Sequence, residues 1–342
     1  MSKFSVALVF EDGRSEHIRV DEDDTIYLAC LRNKIRILTD CLEGACATCK
    51  AHCVEGDYDL DDVSEEALSE QELEKRLVLT CQMHPRSDCV IEFPYASKLA
   101  IKQEPKNWAC NVIAVEKVSS TVKRLDLEIN RHQDDYLAFL PGQYVNLSVP
   151  GTNALRSYSF ATPPHDLEKV SFFIKVIENG SMSSYVSDRA KVGDMITMTG
   201  PFGHFYLREP VRPIVMVAGG TGLAPMLSMF DHMIEVGTTS FPIRLLIGAN
   251  EPSDLFYLDR IEKYKAAGIP LKSEVAVVKG NSNWSGKVGH ITNLLRDELI
   301  QEEADIYLCG PPPMIEASER WLVEKGIDQK FVHSEKFVPS KV

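Results

Sequence analysis

No stretch of this 342-residue sequence runs apolar for anything near the roughly 18 residues that a membrane-spanning helix needs. The opening Met1-Ser2-Lys3-Phe4-Ser5-Val6 holds no apolar signal core. Internal repeats and low-complexity tracts are also missing. Basic residues are scarce: 37 Lys and Arg stand against 50 Asp and Glu, a net charge of −13. The deficit is concentrated at the front, where residues 1–100 carry 21 acids and 11 bases, a net of −10. These shortages exclude nucleic acid and anionic membranes as expected partners. They are compatible with docking to a basic protein surface and equally with simple solubility. A soluble, cytoplasmic monomer of two or three domains is the expectation.

Cysteine is present and unevenly placed. Seven of the nine lie within the first 89 residues, and the odd total argues against a disulfide scaffold. Cys41-x4-Cys46-x2-Cys49, followed much later by Cys81, is the plant-type spacing for a [2Fe–2S] cluster. Four thiolates must converge on two irons. One short loop can supply three of them only if its backbone wraps closely, which the small Gly44, Ala45 and Ala47 permit. Loop amides can then donate to sulfur and tune the potential. A four-cysteine zinc site is the alternative. Such sites usually show two C-x2-4-C knuckles, and only Cys46 and Cys49 form one here. Cys53 competes formally as a ligand, whereas Cys30 and Cys89 are expected to be buried thiols.

Three kinds of patterning follow one another. Residues 4–10 and 16–20 alternate apolar and polar around Glu11-Asp12-Gly13, as a hairpin does. A helix is expected from Thr25 to Arg32, capped by Asp23 or Asp24, and Cys89–Phe93 closes this part as a strand. Short strands at 109–117, 122–129, 143–149, 156–161 and 170–178 then predict an antiparallel barrel or sandwich. From Arg212 onward, continuous apolar runs (Ile214–Ala218, Ile243–Ile247, Ile306–Cys309) alternate with helical stretches, predicting a parallel α/β sheet. The expected division is 1–97, a linker at 98–107, 108–208 and 209–342.

Two further groups of residues carry chemistry. Arg156 and Tyr158 stand two apart on a predicted strand and so point the same way, one suited to a pyrophosphate and one to stacking on a ring. Gly180-Ser181-Met182-Ser183 opens a helix expected over 182–189, whose free amides suit phosphate. Gly219-Gly220-Thr221-Gly222-Leu223-Ala224-Pro225 joins a buried strand to a helix, the geometry that seats a dinucleotide phosphate, although it is not G-x-G-x-x-G. Cys309-Gly310-Pro311-Pro312-Pro313-Met314 lies at the end of a later strand, where parallel sheets bind ligands; Cys309 is otherwise an ordinary buried thiol. Glu251 and Asp254 follow the second apolar strand with no base before Arg260, which favours a free ribose, hence NADH over NADPH.

The cysteine loop resembles that of plant-type ferredoxins, with Ala47 where glycine is frequent and Leu42 in place of a more polar residue. Pro141-Gly142-Gln143-Tyr144, the Arg156-Ser157-Tyr158-Ser159 strand, the Gly219–Pro225 turn and the Cys309 motif resemble the ferredoxin–NADP reductase superfamily. That resemblance implies a β-grasp-like ferredoxin, an antiparallel β-barrel for flavin and an α/β nicotinamide domain. It implies that Cys41, Cys46, Cys49 and Cys81 hold the metal cluster. Arg156 would hold the flavin pyrophosphate, with Tyr158 on the ring, Ser159 near its N5, and Gly180, Met182 and Ser183 at phosphate. Gly219, Gly220, Thr221, Gly222, Gly310, Pro311 and Met314 would line the nicotinamide site. Ser159, Thr221, Cys309 and Glu335 would surround the reacting rings, with Phe337 beside the flavin. FAD rather than FMN rests on the family alone.

The order of modules resembles reductase components of bacterial oxygenases, the benzoate and anthranilate 1,2-dioxygenase type above all. It implies electron flow from NADH through FAD and the [2Fe–2S] cluster to a terminal oxygenase with a Rieske centre. A di-iron monooxygenase of the phenol or methane type remains the alternative partner. A redox-sensing carrier without turnover is a third reading.

Overall fold

The computed structural model describes residues 3–11, 15–101, 106–130, 137, 139, 141–164, 168–203, 205–208, 210–237, 240–300 and 303–338. The chain forms two compact units, residues 1–105 with 202–204, and residues 106–201 with 205–342.

The first unit is built on a five-stranded sheet. Strands Lys3–Phe10 and Ser15–Asp21 pair antiparallel, and Lys3–Phe10 also pairs parallel with Cys89–Phe93. Lys50–Glu55 and Leu77–Leu79 complete it on the far side of Cys89–Phe93. The expected hairpin is present, although its turn at Asp12-Gly13 lies outside the described residues. Val6, Leu8, Ile18, Val20 and Ile91 face a core shared with helix Ile26–Arg32. The cap of that helix is Thr25, whose Oγ1 accepts from Leu28 N at 3.2 Å, and not Asp23 or Asp24. Asp24 is otherwise engaged, because its carboxylate takes the Arg32 guanidinium. The expected linker begins as a short helix, Lys98–Ile101, and the next strand already starts at Lys106; residues 102–105 lie outside the described set.

The second unit starts with a six-stranded antiparallel sheet. In spatial order its strands are Leu155–Ser159, Tyr144–Ser148, Met195–Phe202, Lys106–Lys117, Val122–Asn130 and Lys169–Lys175. Its edges meet where Ala161 N donates to Ser171 O at 2.9 Å, which closes a barrel. The strand expected to reach residue 178 stops at Lys175, and the chain turns through Asn179, at φ +58°, into Gly180. The helix expected over 182–189 is a single α turn, Ser181–Ser184, continued by a π turn, Tyr185–Arg189.

A parallel sheet follows, ordered Lys287–Val288, Leu271–Val277, Ile243–Ala249, Ile214–Gly219, Asp305–Gly310 and Val332–Lys336. Ile214–Gly219 and Asp305–Gly310 are buried at every position, as strands covered on both faces must be. Successive strands run outward from Ile214–Gly219 on one side, and the chain then returns to its other side. In open parallel sheets such a reversal marks the carboxyl ends of the two central strands as the place where ligands bind. Among the described residues no helix is long and apolar enough to cross a membrane.

Candidate cluster, flavin and nicotinamide sites

The cysteine loop is held by backbone that only a few residue types tolerate. Gly44 has φ +73°, and a Cβ there would run into the Asp62 carbonyl oxygen. Leu42 and Ala47 adopt φ +59° and +58° as non-glycines, the left-handed region that costs an L-residue roughly 1–2 kcal/mol. These turns aim backbone amides at sulfur: Glu43 N and Ala45 N each lie 3.4 Å from Cys41 Sγ. Cys49 and Cys81 meet at 3.3 Å, and Thr80 fastens the two segments by donating N–H and Oγ1 to Cys49 O at 3.1 and 3.0 Å.

The four sulfurs therefore stand as two pairs. Cys41 with Cys46 is partly exposed, and Cys49 with Cys81 is buried. No group of three or more ligands gathered for one ion occurs among the described residues. Two pairs with donors aimed at them suit a binuclear cluster better than one zinc ion. The Cys46 thiol, more than the loop amides, holds Cys41 down to about 6, and the Cys49 thiol holds Cys81 down to about 7. Cys53 is removed from the loop: it is fully buried, hydrogen-bonded to the Cys89 thiol, and receives Arg76 Nη2 at 3.6 Å. Cys30 and Cys89 are buried as expected.

On the barrel, Arg156 and Tyr158 share one face of strand Leu155–Ser159, opposite Leu147 and Val145 of the neighbouring strand. Arg156 Nη1 donates within this chain to the Leu155 carbonyl at 2.8 Å. At the turn after Gly180, the side chains of Met182 and Ser183 are engaged inside the barrel domain. The Met182 side chain fills the barrel core, and Ser183 Oγ accepts from Ile177 N and donates to Lys175 O. Their side chains are thus unavailable, and only their amides remain for a phosphate. Ser181, which sequence reasoning left out, has a buried Oγ with no hydrogen-bond partner among the described residues. A buried hydroxyl without a partner costs roughly 1–3 kcal/mol, so this atom suits a bound anion. The signal was a serine in the first turn after a helix-opening glycine.

The nicotinamide motifs come together at the carboxyl ends of those two strands. Ala218 pairs with Cys309 in adjacent strands, and a Cβ at Gly219 would meet Met314 Sδ at 2.5 Å and Pro311 Cδ at 2.9 Å. Gly220–Gly222 forms a 3-10 turn that leads into helix Leu223–Val236. The strand Val332–Lys336 places Glu335 opposite Cys309, and Phe337 N donates to Gly310 O at 2.9 Å. Ser159 Oγ of the barrel donates to Glu335 Oε2 at 3.0 Å. Ser159, Cys309 and Glu335, expected to gather from three distant segments, are therefore neighbours. Cys309 is fully buried, and burial, helped by the Glu335 carboxylate, pushes its thiol well up.

The two acids after Ile243–Ala249 are not equivalent. Asp254 Oδ1 accepts from Ser120 Oγ at 2.8 Å and Thr121 Oγ1 at 2.7 Å, both from the barrel, while its Oδ2 accepts from Glu251 N at 3.2 Å. Burial pushes Asp254 up, but these hydroxyls and the amide outweigh it and hold the carboxyl below its usual range. Oδ1 thus fastens barrel to sheet and Oδ2 holds the local turn, which engages Asp254 within the protein. Glu251 is exposed, on the rim of a cavity of about 530 Å³ that Asn250, Val278 and Lys279 also line.

Three family models match the chain in order. They are a 2Fe-2S iron-sulfur cluster binding domain over residues 9–86, an oxidoreductase FAD-binding domain over 109–206 and an oxidoreductase NAD-binding domain over 216–320. The anthranilate 1,2-dioxygenase electron transfer component of Acinetobacter baylyi is 40% identical, over 98% of each chain. The chain belongs to the family of these electron transfer components. The toluate 1,2-dioxygenase electron transfer component of Pseudomonas putida is also 40% identical, again over 98% of each chain. Among solved structures, an Amycolatopsis cytochrome P450 reductase matches with a TM-score of 0.74 and 26% identity, over 99% of this chain and 100% of that one. The reductase uses NADH, FAD and a [2Fe–2S] cluster, and the ferredoxin, barrel and nicotinamide folds expected from sequence are those observed.

Proposed function

We propose that this reductase supplies single electrons to the terminal oxygenase of an aromatic-ring dioxygenase of the benzoate and anthranilate type, one with a Rieske centre. The observation carrying this is the gradient of likeness. Dioxygenase components from Acinetobacter, Pseudomonas and Burkholderia are 38–40% identical over 98% of the chain, against 35% over 89% for methane monooxygenase component C of Methylosinus trichosporium. The net −10 of residues 1–100 suits a basic oxygenase surface.

When bound, FAD converts the two-electron hydride of NADH into single electrons that the cluster can carry. The chain's part is placement. Cys41, Cys46, Cys49 and Cys81 ligate the cluster. Arg156 would hold the flavin pyrophosphate together with the orphan Ser181 hydroxyl, and Tyr158 would pack on the ring. Ser159 and Glu335 hold a proton at the flavin edge, each tethering the other. Cys309 keeps its proton and contributes shape on the nicotinamide side, with the Gly219–Gly222 turn, Gly310, Pro311 and Met314 as floor. Glu251 accepts from the adenosine ribose and disfavours a 2′-phosphate.

The test is reconstitution of the purified reductase with a benzoate-type dioxygenase and, separately, with a di-iron hydroxylase. Coupled NADH consumption and product formation are expected with the first. Turnover with the di-iron hydroxylase alone would overturn the partner assignment and leave the electron pathway intact.

A further inference from the structure

The residue that follows the fourth cysteine has no place in the roles above. Gln82 is pinned at its backbone from both sides: its N–H donates to Leu79 O at 2.8 Å and its carbonyl accepts from Asp61 N at 2.9 Å. Its side chain turns back across the cluster loop. Nε2 donates to the Leu42 carbonyl at 2.9 Å, and that acceptor fixes which end of the amide is nitrogen. The same Nε2 lies 3.6 Å from Cys81 Sγ. Cγ lies 3.3 Å from where a Cβ on Gly44 would stand, so the side chain also covers the tight turn between Cys41 and Cys46. Leu42, whose carbonyl it holds, is one of the two non-glycine residues of this loop at positive φ.

We propose that Gln82 is a positioning residue for the cluster: its amide ties the segment carrying Cys81 to the loop carrying Cys41 and gives Cys81 Sγ a hydrogen bond that favours the reduced state. Reduction adds one negative charge, spread in part over the ligand sulfurs. A donor aimed at sulfur interacts more strongly with the more negative state and so raises the potential. This inference rests on Cys81 being a ligand.

The experiment uses the full-length holoprotein with Gln82→Met, which keeps length and loses the donor, and Gln82→Lys, which keeps a donor and adds positive charge. Iron and sulfide are quantified, and cluster and flavin potentials are followed by spin-resonance and optical titration. In Gln82→Met the reduced-to-oxidised ratio at a fixed potential should fall about tenfold, a drop of 59 mV for one electron. Gln82→Lys should restore or exceed the native value, and the flavin potential should hold in both. Equal potentials in all three proteins, or equal drops in both variants, would overturn the proposal. Should Gln82→Met lose its cluster, wild type labelled with amide-15N glutamine decides: a 15N coupling to the reduced cluster that Gln82→Lys lacks supports the proposal, and its absence in wild type refutes it. Failure of the ligand assignment reads differently, as a native cluster signal surviving Cys81→Ser.

Discussion

Replacing Gly44 by alanine tests whether the cluster loop is as tightly built as its backbone implies. At φ +73° an alanine pays roughly 1–2 kcal/mol for the left-handed conformation. The added methyl also runs into the Asp62 carbonyl oxygen and approaches Val63 Cα to 3.1 Å, both fixed backbone, so overpacking adds about 1–3 kcal/mol. The expected total of about 2–5 kcal/mol is a large part of the 5–15 kcal/mol that holds a typical domain together. In a module of about 100 residues each kcal/mol lowers melting by roughly 4–8 °C, so the cluster chromophore should bleach at least about 8 °C earlier on anaerobic heating. Flavin content and NADH-dependent reduction of a two-electron dye should stay native, because the barrel and nicotinamide sheet form the other compact unit. Ala47→Gly is the internal control. It sheds the same conformational strain at φ +58° and gains backbone entropy when unfolded, a net stabilisation of about 0.5–1 kcal/mol. A Gly44→Ala melt within about 3 °C of wild type would refute the strain argument. So would a destabilised Ala47→Gly.

Three other outcomes follow from the same structure. Cys81→Ser should lose the spin signal of the reduced cluster and most cytochrome c reduction while retaining flavin. Glu251→Arg should raise kcat/KM for NADPH relative to NADH by tenfold or so, an effect of about 1.4 kcal/mol, whereas Asp254→Asn should leave that ratio alone and loosen the barrel–sheet seam. Because the folded Asp254 carboxyl sits below its usual range, its contribution to stability is present above about pH 4 and lost as pH falls through the folded value; the difference in melting temperature between wild type and Asp254→Asn should narrow there. Finally, Cys309 should resist iodoacetamide at pH 8 in the native protein and react only after denaturation, since burial keeps it a neutral thiol. Rapid native alkylation, read by peptide mass, would contradict this.

What could be read from sequence was what chemistry or periodicity writes locally. Cluster ligation needs cysteine at fixed spacing, so a cluster-binding domain was legible, and fully buried strands such as Ile214–Gly219 show as unbroken apolar runs. Strands Leu271–Val277 and Val332–Lys336 escaped notice because Lys272, Ser273 and Glu274, or His333, Ser334 and Glu335, interrupt any apolar run; their neighbours in the sheet hold them. The N-cap was misplaced because Asp24 and Thr25 are both good caps, and only the position of Arg32 decides which is free. Asp254 shows the deeper limit. Its partners Ser120 and Thr121 lie more than 130 residues earlier, and no local pattern announces them.

The unequal burial of the two sulfur pairs gives the ferredoxin unit a front and a back. Cys49 and Cys81 sit under Leu68 and Leu79, while Cys41 and Cys46 lie where water reaches. Added negative charge is cheaper where solvent can polarise around it. A cluster held between these pairs would then carry an added electron more cheaply on the Cys41–Cys46 side, the side that solvent reaches.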